Sequence, residues 1–176
     1  MSTIIFHINN YMMKKILAFC LLCGCVNNEN IDSKVIPSDF LYTAGSMIGM
    51  HERQDRVALR NLLGVDPAQY EWCAAFVNSI LHLYNIKGSE SVSNHPLTAK
   101  SFMQWGYYTI DPKPGDIIVF PRGNQGWQGH VGFYVRTVYV EGIKNYVILG
   151  GNQNDTVSYD LYPARKAIAI RSLYPS

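Results

Sequence analysis

Glu71-Trp72-Cys73-Ala74-Ala75-Phe76-Val77-Asn78-Ser79-Ile80-Leu81, residues 71–81, decides how this chain is read. Cys73, Phe76, Val77, Ile80 and Leu81, with Tyr84 beyond the run, recur at helical spacing and predict a helix over 72–84. It is the clearest helix in the sequence, and Cys73 stands in its first turn. The other three cysteines, Cys20, Cys23 and Cys25, crowd into the first 25 residues. Cys73 is therefore the sole cysteine of the body, and once the leader is removed or lipidated it has no disulfide partner.

Upstream of this helix the pattern is also helical. Ser38 or Asp39 is a candidate cap for a segment reaching residue 50. Residues 55–63 carry Val57, Leu59, Leu62 and Leu63 before Gly64 stops them. A shorter helix is expected over 98–105, ended by Gly106. Downstream the period changes. Residues 116–120, 130–140, 145–149, 156–161 and 167–172 are β-branched and aromatic runs separated by Gly, Pro and Asn. Helices first and strands after predict an α+β fold, with an antiparallel sheet of about five strands packed on the helix of Cys73.

The first 24 residues contain no Asp or Glu, and Lys14-Lys15 precede the apolar run Ile16-Leu17-Ala18-Phe19-Cys20-Leu21-Leu22. That run is too short to span a bilayer, and its flanks are those of a signal segment. It ends in Leu22-Cys23-Gly24-Cys25, which resembles a bacterial lipobox with Cys25 as the lipidated residue, followed by the polar stretch Asn27-Asn28-Glu29-Asn30. The expected organisation is a lipoprotein-type signal over 1–25, a polar tether over 26–37 and one domain over 38–176. Met12 or Met13 is a more typical start for such a signal. Without the leader, basic residues fall from 15 to 13, against 13 acidic residues. A neutral domain with no Lys/Arg run has no electrostatic footprint for nucleic acid.

The chemistry expected of Cys73 follows from its place. A thiol ionises near pH 8.5 when unperturbed. A helix start favours the anion, and a nearby imidazolium favours it further. His130 opens the run Gly129-His130-Val131-Gly132-Phe133-Tyr134, and the loop before it, residues 122–129, is made of glycines, amides and Trp127. Such a loop can line a groove and present Trp127 to a ligand. A turn centred on Glu141-Gly142 sets His130 opposite Gln153, and a slip of one residue sets it opposite Asn152 or Asn154. Register alone brings an amide to the imidazole without choosing among the three. The expected pair is a lowered thiol beside a raised imidazole.

The runs EWCAAFVNSIL (71–81), PGDIIVF (114–120), GWQGHVGFYV (126–135) and ILGGNQND (148–155) together resemble the CHAP and NlpC-type superfamily of papain-like cysteine hydrolases. The likeness is greatest to its small bacterial and phage cell-wall hydrolases and covers about residues 38–172. The resemblance implies a papain-like fold with Cys73 as nucleophile, His130 as base and Asn152 as the polar residue that orients it. Trp72, Trp127, Gln128 and Asn154 are expected against the substrate, and Asp116 in the Pro114-Gly115-Asp116 turn is expected to be structural. No firm side-chain oxyanion donor matches; Gln69 and Tyr70 are weak candidates.

The implied function is a peptidoglycan hydrolase, amidase or endopeptidase, acting on the peptide stem. The alternatives are an antibacterial or phage-lysis effector with the same chemistry, or an idle lipoprotein that binds cell-wall peptides. No cofactor is implied, and a monomer is expected. The expected location is the cell envelope, lipid-anchored in the outer membrane and facing the periplasm. His51, His82 and His95 lack the spacing of a zinc site, and Met47, Met50 and Met103 read as core filling.

Overall fold

Three helices precede the sheet. A computed structural model describes residues 35–175, so the leader, Cys25 and most of the tether lie outside the described residues. Helix α1 (Pro37–Gly45) has proline in its first turn, and Asp39 reaches back to the N–H of Ile36 at 3.3 Å. It buries Phe40 and Ala44, one turn apart, and stops well before residue 50. Helix α2 (Arg56–Leu63) buries Leu59 and Leu63. Gly64 ends it in the left-handed region at φ 70°, its N–H returning to the Arg60 carbonyl, a conformation glycine adopts without strain.

Helix α3 (Cys73–Leu83) begins at the cysteine itself. Every residue from Cys73 to Leu81 is buried, so this is a helix surrounded on all sides, not an amphipathic surface helix. The segment expected as a fourth helix is a 3-10 helix, Ala99–Gln104.

The sheet has six antiparallel strands: β1 (Tyr107–Tyr108), β2 (Ile117–Pro121), β3 (Gly129–Val140), β4 (Ile143–Gln153), β5 (Thr156–Pro163) and β6 (Ala169–Ser172), in the spatial order β1-β6-β2-β3-β4-β5. The α+β architecture is thus as expected, with the two-residue β1 added. Alternation sorts the side chains. Ile117, Val119, Val131, Phe133 and Leu149 join the α3 core, whereas Ile118, Phe120, Tyr134, Tyr146 and Ile148 cluster separately with Tyr162, Ala167 and Ile170. The sheet is curled. Phe120 on β2 stacks on Tyr162 of β5 at 4.6 Å, although strands three places apart in a flat sheet lie about 14 Å from one another.

Two irregularities shape the functional end. The β3–β4 hairpin turns through Glu141 and Gly142, both at positive φ, as a two-residue hairpin loop requires. It pairs Val140 with Ile143, the register expected for that turn. A bulge at Val135 then slips the register, so that Phe133 pairs with Leu149, the last pair of the ladder toward His130. On the other side of β4, pairing with β5 is broken between Gly150 and Gln153, where Asn152 takes φ 59°.

Candidate active site

Where β3 and β4 part, the start of α3 meets the sheet. Cys73, 3 % exposed, forms part of the wall of a groove of about 330 Å³, with Glu71, Leu97, Thr98, Ala99, Arg122, Gly123, Trp127, Gln128 and Gly129. Burial pushes the thiol up from its ordinary value, opposed by hydrogen bonds from the N–H groups of Val131 and Ala74 and by the charge of Arg122. Val131 follows His130 in the chain, so the sulfur sits against the backbone that carries the imidazole.

His130 is buried and held from two directions. Its ring lies parallel to Tyr162, 5.1 Å between centroids and 9° between planes. Its Nε2 is 3.0 Å from Oε1 of Gln153. The tautomer follows from the next partner along. Gln153 Nε2 donates to the Ser158 carbonyl at 2.6 Å, and a carbonyl can only accept. The amide oxygen therefore faces the imidazole and must receive Nε2–H. The Tyr162 hydroxyl donates to the same oxygen at 3.3 Å. Nδ1 is left as the bare, basic nitrogen, buried and without a hydrogen-bond partner. Gly150 makes room for this pairing, because a side chain there would start 3.2 Å from His130 Nε2 and 3.3 Å from Gln153 Oε1.

The amide on the imidazole is thus Gln153, not the Asn152 that the resemblance implied. Bulge and strain together explain the difference. The slipped register carries Asn152 to the level of His130, but its left-handed backbone breaks the alternation. Its Nδ2 donates instead to Glu71 Oε2 at 2.7 Å.

The expected charges are also corrected. Burial brings His130 down to about 4, helped by the Arg122 charge and opposed by the Gln153 hydrogen bond. A raised thiol and a lowered imidazole favour the neutral pair, not a standing thiolate and imidazolium. A neutral thiol and a neutral imidazole suit general-base chemistry, in which a thiol loses its proton as the new bond forms, not before.

The expected substrate contacts divide. Trp127, 61 % exposed, and Gln128 line the groove. Trp72 is fully buried. It packs edge-on to Phe76 and against Gly151, and its indole N–H points to Glu52 at 3.4 Å, so it cannot reach a ligand. Asn154 is an exposed residue of the β4–β5 turn at φ 50° and is not in the groove wall. Gln69 and Tyr70 line a separate depression with Arg56, Arg60 and Asp66. Asp116 accepts the Lys113 N–H through its carboxylate and the Tyr134 N–H through its carbonyl, bracing the turn into β2. His82 pairs with Glu90 at 2.9 Å, and Met47, Met50 and Met103 pack on the core.

Sequence reasoning missed three residues that the structure brings to this region: Tyr162, Arg122 and Glu71. Tyr162 shares neither strand nor motif with His130 and reaches it only because the sheet curls. Arg122 and Glu71 stand 51 positions apart, yet their charged atoms lie 3.6 Å apart at the groove rim.

The family model described as the CHAP domain matches residues 65–152, half of the chain, and spans Cys73, Arg122, His130 and Asn152. Such domains are typically amidohydrolases or peptidases. No curated protein matches the chain.

Proposed function

The chain belongs to the CHAP domain family, and on that premise we propose that it is a peptidoglycan hydrolase that cuts an amide of the peptide stem through a Cys73 thioester. Cys73 Sγ attacks the carbonyl carbon while its proton passes to His130 Nδ1. The N–H groups of the first turn of α3 have no helical partners and stabilise the oxyanion. The imidazolium then protonates the leaving amine, and water, activated by His130, releases the acyl group.

The observation that carries this reading is the donor chain from Gln153 to the Ser158 carbonyl. It fixes the tautomer so that the free lone pair of the imidazole is Nδ1, on the residue just before the Val131 N–H that faces the only described thiol. A core histidine without a function has no need of an orienting amide on one nitrogen and an unpartnered second nitrogen. Zymography on purified peptidoglycan, with mass analysis of the fragments, tests it. Clearing with release of peptide or amide-cleavage products is expected; intact walls would refute it.

The finer reading is a member close to the NlpC type, monomeric and tethered by lipid at Cys25 to the outer membrane, facing the periplasm, with 26–37 as tether. Its support is the apolar run ending in Leu22-Cys23-Gly24-Cys25 and the polar residues after it. Two acyl chains make a stable anchor where one does not. Labelled palmitate should enter the wild type and not Cys25→Ser, which should move to the soluble fraction.

A further inference from the structure

Two opposite charges stand at the rim of the groove beside the thiol, and they are engaged to different degrees. The Glu71 carboxylate holds Asn152 Nδ2 at 2.7 Å. Arg122, whose side chain is 47 % exposed, is held loosely: NH1 lies 3.5 Å from the Asn152 carbonyl and 3.6 Å from Glu71 Oε2. An exposed ion pair at that distance contributes little to stability. Among the described residues Nε and NH2 have no hydrogen-bond partner, which leaves one edge of the planar fork free. A guanidinium edge matches the two oxygens of a carboxylate. Arg122 and Cys73 line the same groove, and the charge of Arg122 is felt by both Cys73 and His130, so a group bound to it lies close to the thiol. The rest of the wall is apolar, small or uncharged, formed by Leu97, Ala99, Gly123, Trp127 and Gly129, and offers no second cation.

Resting on the hydrolase reading of this groove, we infer that Arg122 anchors a free carboxylate of the substrate close to the scissile amide. The preferred substrates are therefore acidic peptides rather than peptides whose carboxylates are amidated. Glu71 steadies the Asn152 segment and holds the guanidinium at the rim. It also sets the threshold for the ligand, because a substrate carboxylate must compete with its own.

Two experiments on the folded enzyme separate the anchor from the activity. The first needs no turnover. Cys73 is alkylated with iodoacetate and with iodoacetamide, which differ in bearing a carboxylate or a neutral amide. Wild type should favour iodoacetate over iodoacetamide several-fold more than Arg122→Gln does, and Glu71→Gln should favour it more than wild type. A ratio unchanged by Arg122→Gln overturns the anchor, provided the variant melts like wild type; the neutral Arg122→Met, which keeps the length of the stem, serves if it does not.

The second compares native walls with walls whose carboxylates are capped as methylamides by carbodiimide coupling. Losing a charge-assisted contact should slow wild-type cleavage of capped walls roughly 10- to 100-fold. Arg122→Gln should cut both at the same low rate. Equal cleavage of native and capped walls by wild type overturns the inference. If wild type cuts neither, the hydrolase reading fails, and the alkylation ratio still decides whether a carboxylate is drawn to Arg122.

Discussion

In the buried floor of the site Cys73, His130 and Gln153 are 3 %, 1 % and 2 % exposed, and of the three Cys73 reaches the groove wall, whereas at the rim the Glu71 and Arg122 side chains are 72 % and 47 % exposed and Trp127 is 61 % exposed. The floor is built from α3, β3 and β4, each fixed by core packing, and its groups are neutral. The rim comes from loops and carries full charges. A buried group is positioned accurately and loses charge, while an exposed group keeps charge at the expense of position. The division suits the proposed hydrolase, whose reaction needs a fixed proton path and whose recognition needs charge. Changes to the floor should therefore act on rate and stability, and changes to the rim on substrate preference.

The sharpest break is Cys73→Ala. Activity on walls should vanish while the circular dichroism spectrum is unchanged and stability moves by no more than about 1 kcal/mol, since only one sulfur leaves a packed site. Retained activity would remove the floor from the chemistry.

Next comes acid. The folded His130 holds its proton more weakly, at about 4, than an exposed imidazole does at 6.5. The unfolded chain therefore binds the proton first. The stability linked to this group is complete above pH 6.5 and is lost as pH falls toward 4. The loss is at most roughly 3 kcal/mol. Urea midpoints across that window should fall more steeply for wild type than for His130→Gln; parallel curves would mean the imidazole is not sealed.

The amides distinguish floor from rim most finely. Gln153→Ala should lower kcat by roughly 5- to 150-fold, the cost of about 1–3 kcal/mol for a lost buried hydrogen bond. Asn152→Ala should act mainly on KM, because it releases Glu71 at the rim. The reverse order would return the orienting role to Asn152. Smallest of all, Trp127→Ala should raise KM a few-fold and leave the melting temperature unchanged, as surface substitutions usually do.

Most helix and strand positions were legible because their signals are local. Gly64 and the buried pair Leu59 and Leu63 delimit α2, and the Glu141-Gly142 turn registers the long hairpin. Helix α1 is shorter than its apolar pattern because Gly45 and Ser46 end it, and Met47 and Met50 reach the core from turns. Strand β1 has two residues and hence no period to read. In the candidate site, the place of Cys73 at a helix start and of His130 at a strand start was legible from their neighbours. The choice of amide was not, because it depends on a bulge at Val135 and a left-handed Asn152 acting together. Trp72 misled for a related reason: adjacency to Cys73 in sequence turns it about 100° around the helix start, away from the groove.

The contact between Gly151 and Trp72 has a consequence for what this site can tolerate. A Cβ on Gly151 would start 2.4 Å from the Trp72 ring and 2.8 Å from Phe76 Cβ. Trp72 is covalently next to Cys73, and Gly151 is two residues from the amide that holds His130. The spacing between the two halves of the candidate site is thus gauged by a hydrogen atom where every other residue has a carbon. Even alanine at 151 would act as a wedge between β4 and α3, moving the thiol off the imidazole while touching neither.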